Sequence, residues 1–452
     1  MIERADLIVV GSGQGGVPLA ADFARAGKRV VLFERGAYGG SCINYGCTPS
    51  KSLLAAAHNA GRARHAAPLG VRAEVHVDQR AVFERLRRIR NEWSARVEKR
   101  LRDAGVELIG AQASFSGERT VRGGQREIQA PIVAIDTGTT AAIPKVPGLE
   151  AVPYLTNQTF FDLSVLPERL IVIGGGYIGL ELGQGAQRLG SAVTIVHAHD
   201  RIMEREEADV SAALLASLQA DGVTIRLSAR PTQASYAGDV VRLTLEGGAV
   251  IEGDGLLIAT GRIPNTQALG LERSSIRCAR GGYVAVDDYL QTTCPGVYAL
   301  GDVAGQPAFT HVSWEDYRRV TSTLAGKPRR RDDRVLAYAT YTEPQVGRVG
   351  HTLESATAAG IDARAVTLPL SAVARAVEWN VEAGFFRLVV DRSNDAIVGA
   401  TFVGYEAGEL IHVILAHIMN RATWQVLDES VHIHPTLSEG LPTLARMFAE
   451  PE

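Results

Sequence analysis

Short apolar runs, glycine-rich turns and amphipathic segments alternate along the first two thirds of the chain. Residues 7–10 and 170–173 are continuous runs of Leu, Ile and Val, which predict strands buried on both faces. After each run comes a glycine-rich turn, then an apolar helical pattern and a second apolar run. The predicted helices are 17–26 and 180–189, and the predicted second strands are 29–33 and 192–196. This alternation predicts parallel sheets of the α/β class.

Both turns have the spacing G-x-G-x-x-G, formed by Gly11, Gly13 and Gly16 and again by Gly174, Gly176 and Gly179. The glycines allow a tight turn, close approach of a pyrophosphate and close packing of helix on strand. The following helix offers its N-terminal amides to the phosphates. Each second strand ends at the same offset from the first glycine, at Glu34 and at His197. Two such units in one chain predict two bound dinucleotides.

The remaining segments complete the predicted organisation. A charged amphipathic pattern over 82–103 predicts a long covering helix, and the proline-rich residues 144–148 predict a linker. Short strands alternate with helices after residue 333, which predicts an α+β module. The strands are 337–341, 385–391 and 397–403, and the last helix is 410–421, whose His412 and His417 we interpret as core or interface residues. The predicted domains are 1–148 and 149–268, then 269–334, which completes the first domain, and 335–452.

Composition narrows the function without defining it. The 452 residues are 46% apolar and 21% charged with a net charge of −3, so we expect neither nucleic acid nor an anionic membrane as partner. Apolar runs stay shorter than the roughly 20 residues of a membrane span. The N-terminus leads directly into a strand rather than a signal peptide, so we expect a cytoplasmic protein.

Cysteine usage supplies the candidate chemistry. Cys42 and Cys47 lie five positions apart near the start of a predicted helix at 50–58, where they can approach on consecutive turns. The helix N-terminus favours a thiolate at Cys47. Half of a metal site or two ordinary buried thiols are the alternatives, although neither explains the position just after a dinucleotide fingerprint. Cys278 and Cys294 are most simply structural thiols, and no metal site is predicted.

Four segments resemble motifs of the class I pyridine nucleotide–disulfide oxidoreductase family, which includes glutathione reductase, dihydrolipoamide dehydrogenase and mercuric reductase. Residues 39–51 (GGSCINYGCTPSK) are similar to its redox-disulfide motif, and 258–265 (IATGRIPN) to the turn that closes the nicotinamide domain. Residues 296–303 (GVYALGDV) resemble the second FAD motif, and 432–439 (HIHPTLSE) the C-terminal acid–base motif. The resemblance implies two Rossmann-like domains, binding FAD and NAD(P), and a C-terminal α+β dimerisation domain.

The resemblance also implies roles for individual residues. Cys47 is expected next to the flavin and Cys42 next to the substrate. His434 is expected to shuttle the proton while Glu439 fixes its tautomer, within the neighbouring subunit of a homodimer. Glu34 is expected to hold the adenosine ribose of FAD and Asp302 its ribityl chain. Further expected cofactor-binding residues are Gly40, Ser41, Lys51 with its partner Glu181, Gly138, Tyr177, Gly261 and Arg262.

The nicotinamide donor is predicted from the end of the second unit. An acidic residue there would bind a ribose 2′-hydroxyl and repel a 2′-phosphate, but His197 occupies the position. With His199, Arg201 and Arg205 nearby, NADPH is favoured over NADH, although Asp200, Glu204 and Glu206 are interspersed.

The acceptor stays open between two classes. The cysteine motif and residues 309–318 resemble mercuric-reductase-like flavoproteins, some of which reduce copper or resist oxidants. Mercuric reductases receive the metal on a C-terminal cysteine pair, whereas the C-terminal residues here contain no cysteine. His434 and Glu439 fit a disulfide substrate, as in dihydrolipoamide dehydrogenase. We therefore expect an NAD(P)H-dependent disulfide or metal/oxidant reductase; a transhydrogenase and a non-catalytic flavin-binding scaffold are the remaining alternatives.

Overall fold

The computed structural model describes residues 2–450. Its first sheet is parallel, because its strands are connected through helices or long crossovers. Four of the five strands are largely buried and predominantly apolar, whereas the edge strand Glu107–Gly110 is only partly buried. The strand order is Val297–Ala299, Ile132–Ile135, Leu7–Val10, Val30–Glu34, Glu107–Gly110. One face packs against helices Gly16–Arg25, Gln79–Asp103 and Thr310–Leu324. The other face packs against the small sheet Glu3–Arg4, Arg126–Gln129, Thr120–Gly123, Ala113–Gly117.

A second parallel sheet carries the second fingerprint. Its strand order is Thr224–Arg226, Ala192–Val196, Arg169–Ile173, Gly255–Ile258. Helices Tyr177–Arg188 and Ala208–Ala220 contribute apolar side chains to the core on one face. An antiparallel sheet of strands Pro231–Ala237, Val240–Leu245 and Val250–Gly253 covers the other. The short ribbon Thr139–Ala141 with Arg262–Pro264 connects the two nucleotide-binding regions.

The C-terminal module is built on an antiparallel sheet. Its order is Ala337–Thr340, Gln345–Gly350, Ile397–Gly404, Phe385–Asp391, Ala363–Pro369. Its helices are Leu353–Ala358, Ala374–Glu378, Ala407–Met419, Trp424–Asp428 and Gly440–Arg446. Single-turn 3-10 helices lie at Ala67–Leu69, Leu149–Ala151, Phe160–Asp162, Leu271–Arg273, Arg280–Gly282, Gly301–Ala304, Arg331–Asp333, Leu370–Ala372, Leu437–Glu439 and Met447–Ala449.

The sequence-based elements differ from the structure in a few places. The long covering helix begins three residues earlier than predicted, because the Asp78 side chain caps it by accepting the Ala81 amide. On this helix the apolar side chain of Trp93 is 50% exposed. Two short helices follow the one predicted to be last. In residues 2–450, no helix combines the length and the apolar character that crossing a bilayer would need.

Candidate active site

The first fingerprint turn is packed so closely that its glycine positions leave no room for side chains. A Cβ on Gly13 would lie 2.6 Å from the Asp136 carboxylate, and Gly11 has a φ of 97°. Glu34 folds back onto this turn, where its Oε2 accepts the Ser12 amide at 2.9 Å and the Ser12 hydroxyl at 2.6 Å. The predicted Glu34 therefore lies at the rim of the turn, with a carboxylate oriented by two donors.

Asp136 is a buried carboxylate that the sequence reasoning did not select. Its Oδ2 accepts the amides of Gly15 and Gly16 at 3.1 and 2.6 Å, and the Ser313 hydroxyl lies 3.3 Å from Oδ1. Burial raises the pKa of Asp136 to about 7, although the amide donors act in the opposite direction. The positive end of the first helix is thus already satisfied at two amides, and the Gly13 and Gln14 amides, which precede them in the lining of the cavity, remain for a ligand phosphate.

The segment carrying the cysteine pair packs directly on the same turn. Gly40 has a φ of 63°, and a Cβ there would lie 2.9 Å from the Gly13 Cα. Helix Gly40–Asn44 carries Cys42, and helix Cys47–Arg64 begins at Cys47. Tyr45 and Gly46 separate the two helices, so the thiols approach across this junction and not on consecutive turns as expected.

The two thiols are chemically unequal. The Cys47 Sγ lies 3.1 Å from the Thr310 hydroxyl at the start of helix Thr310–Leu324. A hydrogen bond from Cys42 lowers the pKa of Cys47 to about 6; burial opposes this, while Thr310 and the Lys51 charge support it. The same pairing raises the pKa of Cys42, and burial adds to the effect. Cys47 is consequently the thiolate of the reduced pair, and Cys42 is the thiol.

Lys51 lies one turn further along the cysteine helix and is tied to the second nucleotide-binding region. Its Nζ donates to Glu181 Oε2 at 2.6 Å, and the ammonium lies 4.6 Å from the centroid of the Tyr341 ring. Burial opposes the charge, but Glu181 outweighs it and raises the pKa of Lys51. The predicted Lys51–Glu181 pair is therefore present, and Tyr341 is an additional contact that the sequence did not reveal.

Asp302 lies near the Thr139–Arg262 ribbon in a chain of polar contacts. The Thr139 hydroxyl donates to Asp302 Oδ2 at 2.6 Å. The oxygen of the same hydroxyl accepts a hydrogen bond from Arg262 Nε, also at 2.6 Å. Gly138 and Gly261 flank these residues with φ values of 61° and 130°. Asp302 is thus fixed as an acceptor while one of its oxygens remains available.

A cavity of about 930 Å³ connects these residues, which lie far apart in the sequence. From the predicted site it is lined by Gly11, Gly13, Glu34, Gly40, Ser41, Cys42, Cys47, Lys51, Gly138, Tyr177, Glu181, Arg262 and Asp302. This volume lies at the upper end of the range for ligand sites. It extends from the fingerprint turn, where a phosphate would meet amides, to the Cys47 sulfur.

The predicted His434 and Glu439 form a pair elsewhere. His434 Nδ1 and Glu439 Oε2 are 2.8 Å apart, but the His434 side chain is 74% exposed and does not line the cavity. Val431 and Ile433 beside it are 99% and 78% exposed, an unusual state for two branched apolar residues. Within one subunit the structure therefore does not bring His434 to the cysteine pair.

Two family models match this chain. The family model described as pyridine nucleotide-disulphide oxidoreductase matches residues 5–316, and the model of its dimerisation domain matches residues 336–445. The chain belongs to the pyridine nucleotide-disulphide oxidoreductase family. The fold predicted from the fingerprints is confirmed, and within this family FAD is the flavin and NAD(P)H the electron donor.

Individual relatives carry several different names. The chain is 32% identical over 451 residues to a mercuric reductase of Staphylococcus aureus, covering 98% of this chain and 82% of the relative. It is also 32% identical to a dihydrolipoyl dehydrogenase of Haloferax volcanii, covering 96% of this chain and 94% of the relative. A Cu(II) complex of the HOCl-induced flavoprotein disulfide reductase RclA from Escherichia coli superimposes with a TM-score of 0.90 at 31% identity, covering 99% and 100%.

The cavity of this oxidoreductase fits FAD on its own geometry. Gly13 and Gly40 leave a space that side chains would fill. Glu34, at the end of the second strand, presents a carboxylate that the Ser12 amide orients next to the turn. Lys51 and Asp302 supply a cation and an acceptor at the other end. When bound, FAD supplies hydride acceptance from the nicotinamide and delivery of an electron pair to the cysteine disulfide.

The second fingerprint repeats the geometry of the first with a different side chain. The Gly175 amide donates to His197 Nδ1 at 3.0 Å, just as the Ser12 amide donates to Glu34. Burial lowers the pKa of His197, and its Nε2 lies 3.4 Å from Glu204 Oε2. A neutral His197 that accepts at Nδ1 carries its proton on Nε2. His197 therefore holds the turn through its Nδ1.

The three fingerprint glycines of this unit differ in how closely they are packed. Gly174 has a φ of 120°, and its backbone contacts Ala259, whereas nothing lies within 4 Å of a Cβ built on Gly176. Gly179 packs against the Gly174 carbonyl, as the close approach of helix and strand requires. Tyr177 begins the following helix and lines the large cavity, so it lies where the second nucleotide-binding region meets the first.

Proposed function

We propose that this oxidoreductase passes electrons from a reduced nicotinamide through FAD and the Cys42–Cys47 pair to a small-molecule disulfide. The observation that carries the choice of acceptor is the 2.8 Å contact between His434 and Glu439. A carboxylate on Nδ1 leaves Nε2 free to exchange a proton with a substrate sulfur. A departing thiolate requires such a proton, whereas a metal ion that accepts electrons does not.

The proposed reaction balances in two exchanges. Reduction of the Cys42–Cys47 disulfide by two electrons gives the Cys47 thiolate and, with one proton, the Cys42 thiol. Cys42 loses its proton to His434 and attacks one sulfur of the substrate disulfide, and the departing thiolate takes that proton. Cys47 then attacks the Cys42 sulfur, which re-forms the internal disulfide and releases the second product sulfur, protonated from solvent.

This proposal requires a homodimer. His434 lies outside the cavity of its own subunit, and its neighbours Val431 and Ile433 are exposed as branched apolar residues. The segment belongs to the region that matches the dimerisation-domain model. We infer that Val431 and Ile433 are covered by a second copy, which would receive His434 into its cysteine site.

A metal-ion reductase is the second candidate, favoured by the similarity to a mercuric reductase and to a copper complex of RclA. Thiolates are soft ligands that suit Hg(II) and Cu(I). In residues 2–450 no three metal-ligating side chains are clustered in one subunit. Metal reduction would therefore rest on Cys42 and Cys47 with a group supplied by the substrate complex or by the partner subunit.

The His434→Ala variant separates these two functions. We expect it to lower kcat for lipoamide or another small disulfide by about 10²–10⁴ because the leaving thiolate loses its proton donor. Steady-state oxidation of NADPH with disulfides, and with thiol-buffered Hg(II) or Cu(II), would be measured for both proteins. The matched control is His432→Ala, which removes a neighbouring imidazole that has no carboxylate partner among the described contacts.

The outcomes are distinct. Disulfide turnover that His434→Ala abolishes supports the proposal. Two results together would favour the metal-ion reductase over the disulfide reductase. They are negligible disulfide turnover in the unmodified enzyme and metal-dependent NADPH oxidation that His434→Ala leaves intact.

We propose NADPH as the donor, with Glu204 limiting the preference. Arg201 and Arg205 are exposed around the second fingerprint and offer positive charge to a 2′-phosphate, and the exposed His199 adds an imidazole donor. Glu204 lies beside His197 at 3.4 Å and contributes the opposing charge. The preference therefore depends on the balance between these exposed groups, since His197 itself is neutral.

We expect Glu204→Gln to increase the preference for NADPH over NADH by roughly threefold to tenfold, because one negative charge near the phosphate is worth about 1 kcal/mol at the surface. The measurement is the ratio of kcat/KM for the two donors at low ionic strength. Glu354→Gln, an exposed carboxylate on the C-terminal module, is the matched control. An unmodified enzyme that prefers NADH would contradict the proposed donor.

A further inference from the structure

Helix Tyr177–Arg188 has a polar stripe on a face that is otherwise packed. Glu181, Gln184 and Arg188 follow the spacing i, i+3, i+7 and are 3%, 0% and 6% exposed. Buried polar side chains of this kind are unfavourable unless every group has a partner. The partners of this stripe determine what it does.

The stripe binds the backbone of one short segment from the C-terminal module, residues 341–343. Glu181 Oε1 accepts the Tyr341 amide at 2.8 Å. Gln184 accepts the Glu343 amide and donates to the Glu343 carbonyl, both at 2.8 Å. Arg188 forms an ion pair with the Glu343 carboxylate.

The cysteine helix holds the same segment from its other side. His58 Nε2 lies 3.1 Å from the Tyr341 carbonyl, and Arg62 Nε lies 2.7 Å from the Glu343 carboxylate. The segment is therefore clamped between the helix that carries Cys47 and the helix that carries Glu181. Both of these helices contact the flavin cavity.

Glu181 contacts both the 341–343 segment and Lys51. One oxygen accepts the Tyr341 amide and the other accepts Lys51 Nζ. The Tyr341 ring lies under the same ammonium, at 4.6 Å from its centroid, which is within the range of a cation–π contact. Lys51 thus contacts a carboxylate and a ring that are both held by residues 341–343.

We propose that Tyr341 is a positioning residue: its ring and its backbone amide hold Lys51 and Glu181 beside Cys47, so that docking of the C-terminal module sets the reactivity of the flavin-side thiol. The inference rests on the proposed role of Cys47. It gives the C-terminal module a function inside its own subunit, in addition to any contribution to the partner's site.

The consequence is measurable at Cys47. The positive charge of Lys51 lowers the pKa of Cys47. If the Lys51 ammonium moves away, the pKa of Cys47 is expected to rise. The titratable groups that face Cys47 are Cys42, Lys51, Glu181, Tyr177 and Tyr341. Only Lys51 supplies a positive charge among them, and it is the group that Tyr341 contacts.

The experiment uses the FAD-loaded Cys42→Ser enzyme, in which Cys47 cannot form the internal disulfide. The pH midpoint of the long-wavelength flavin absorbance that a neighbouring thiolate produces would be compared after Tyr341→Leu and after Tyr341→Phe. We expect Tyr341→Leu to raise the midpoint by roughly half to one pH unit, and Tyr341→Phe to leave it unchanged because the ring remains. Tyr341→Met serves as the second ringless variant if the leucine protein does not fold.

Ser217→Ala is the matched control for loosening of the segment. Its hydroxyl donates to the Glu343 carbonyl at 2.8 Å but does not touch Lys51 or Glu181. An unchanged midpoint in folded Tyr341→Leu, or an equal shift in Ser217→Ala, would overturn the inference. A parent enzyme in which no thiolate titrates at all would instead contradict the proposed role of Cys47.

Discussion

Replacement of Cys42 by serine is expected to lower kcat with a disulfide acceptor by at least about 10³, since the serine hydroxyl cannot exchange with a disulfide. Cys42 is the group that the raised pKa identifies as the protonated thiol of the reduced pair. Both thiols line the cavity that fits FAD, and Cys47 is the more exposed of the two. NADPH should still reduce the flavin in this variant, so that rapid-mixing absorbance separates hydride transfer from the lost exchange.

The same variant reports the state of Cys47. A thiol with a pKa of about 6 is mostly thiolate at pH 7 and becomes protonated as the pH falls through 6. Cys42→Ser keeps a hydroxyl that donates to Cys47, so long-wavelength flavin absorbance should be present at neutral pH and disappear below pH 6. Cys47→Ser should be equally inactive and should lack this absorbance at every pH.

Cys278→Ser is the control for general effects of removing a thiol, because Cys278 is exposed and lies outside the cavity. It should retain full turnover. Equal long-wavelength absorbance in Cys42→Ser and Cys47→Ser would show that the assignment of the two sulfurs is wrong. Substantial disulfide turnover without Cys42 would remove the pair from the proposed mechanism altogether.

The parts of this molecule that sequence could predict are those whose physical requirement is local. The glycine spacing at 11, 13 and 16 is required where a strand turns tightly into a helix: a Cβ on Gly16 would lie 2.9 Å from the Gly11 carbonyl. The charged helix Gln79–Asp103 and the strand Phe385–Asp391 follow directly from apolar periodicity. In each case the residues that cause the structure are neighbours in the chain.

Contacts between distant segments were not predictable in the same way. Tyr341 meets Glu181 across 160 positions, and Cys47 meets Thr310 across 263. Asp136 offered a weak signal, because it follows a buried strand at the carboxyl edge of a parallel sheet, where ligands bind. Nothing local to His197 indicated that burial and the Gly175 amide would keep it neutral.

The position of His434 leads to the prediction that only a dimer is active. We expect mixed dimers of Cys42→Ser and His434→Ala chains to recover about half of the wild-type disulfide turnover per dimer, although each homodimer is inactive. One site of the mixed dimer has both its cysteines and the intact His434 of the partner chain. The other site lacks Cys42 and also faces the alanine that replaces His434. Two different affinity tags allow the mixed dimer to be purified by sequential capture, and turnover is then measured against each homodimer.

The matched control combines both substitutions in one chain and pairs it with an unmodified chain. In that dimer each site lacks one essential group if His434 acts across the interface, because the intact cysteines face the altered histidine. It should therefore be inactive. If His434 acted within its own subunit, the outcome would be reversed: the unmodified chain would keep one working site, and the Cys42→Ser with His434→Ala pairing would have none. The two purified dimers have the same composition of substitutions, so their activities decide between the arrangements independently of any effect on stability.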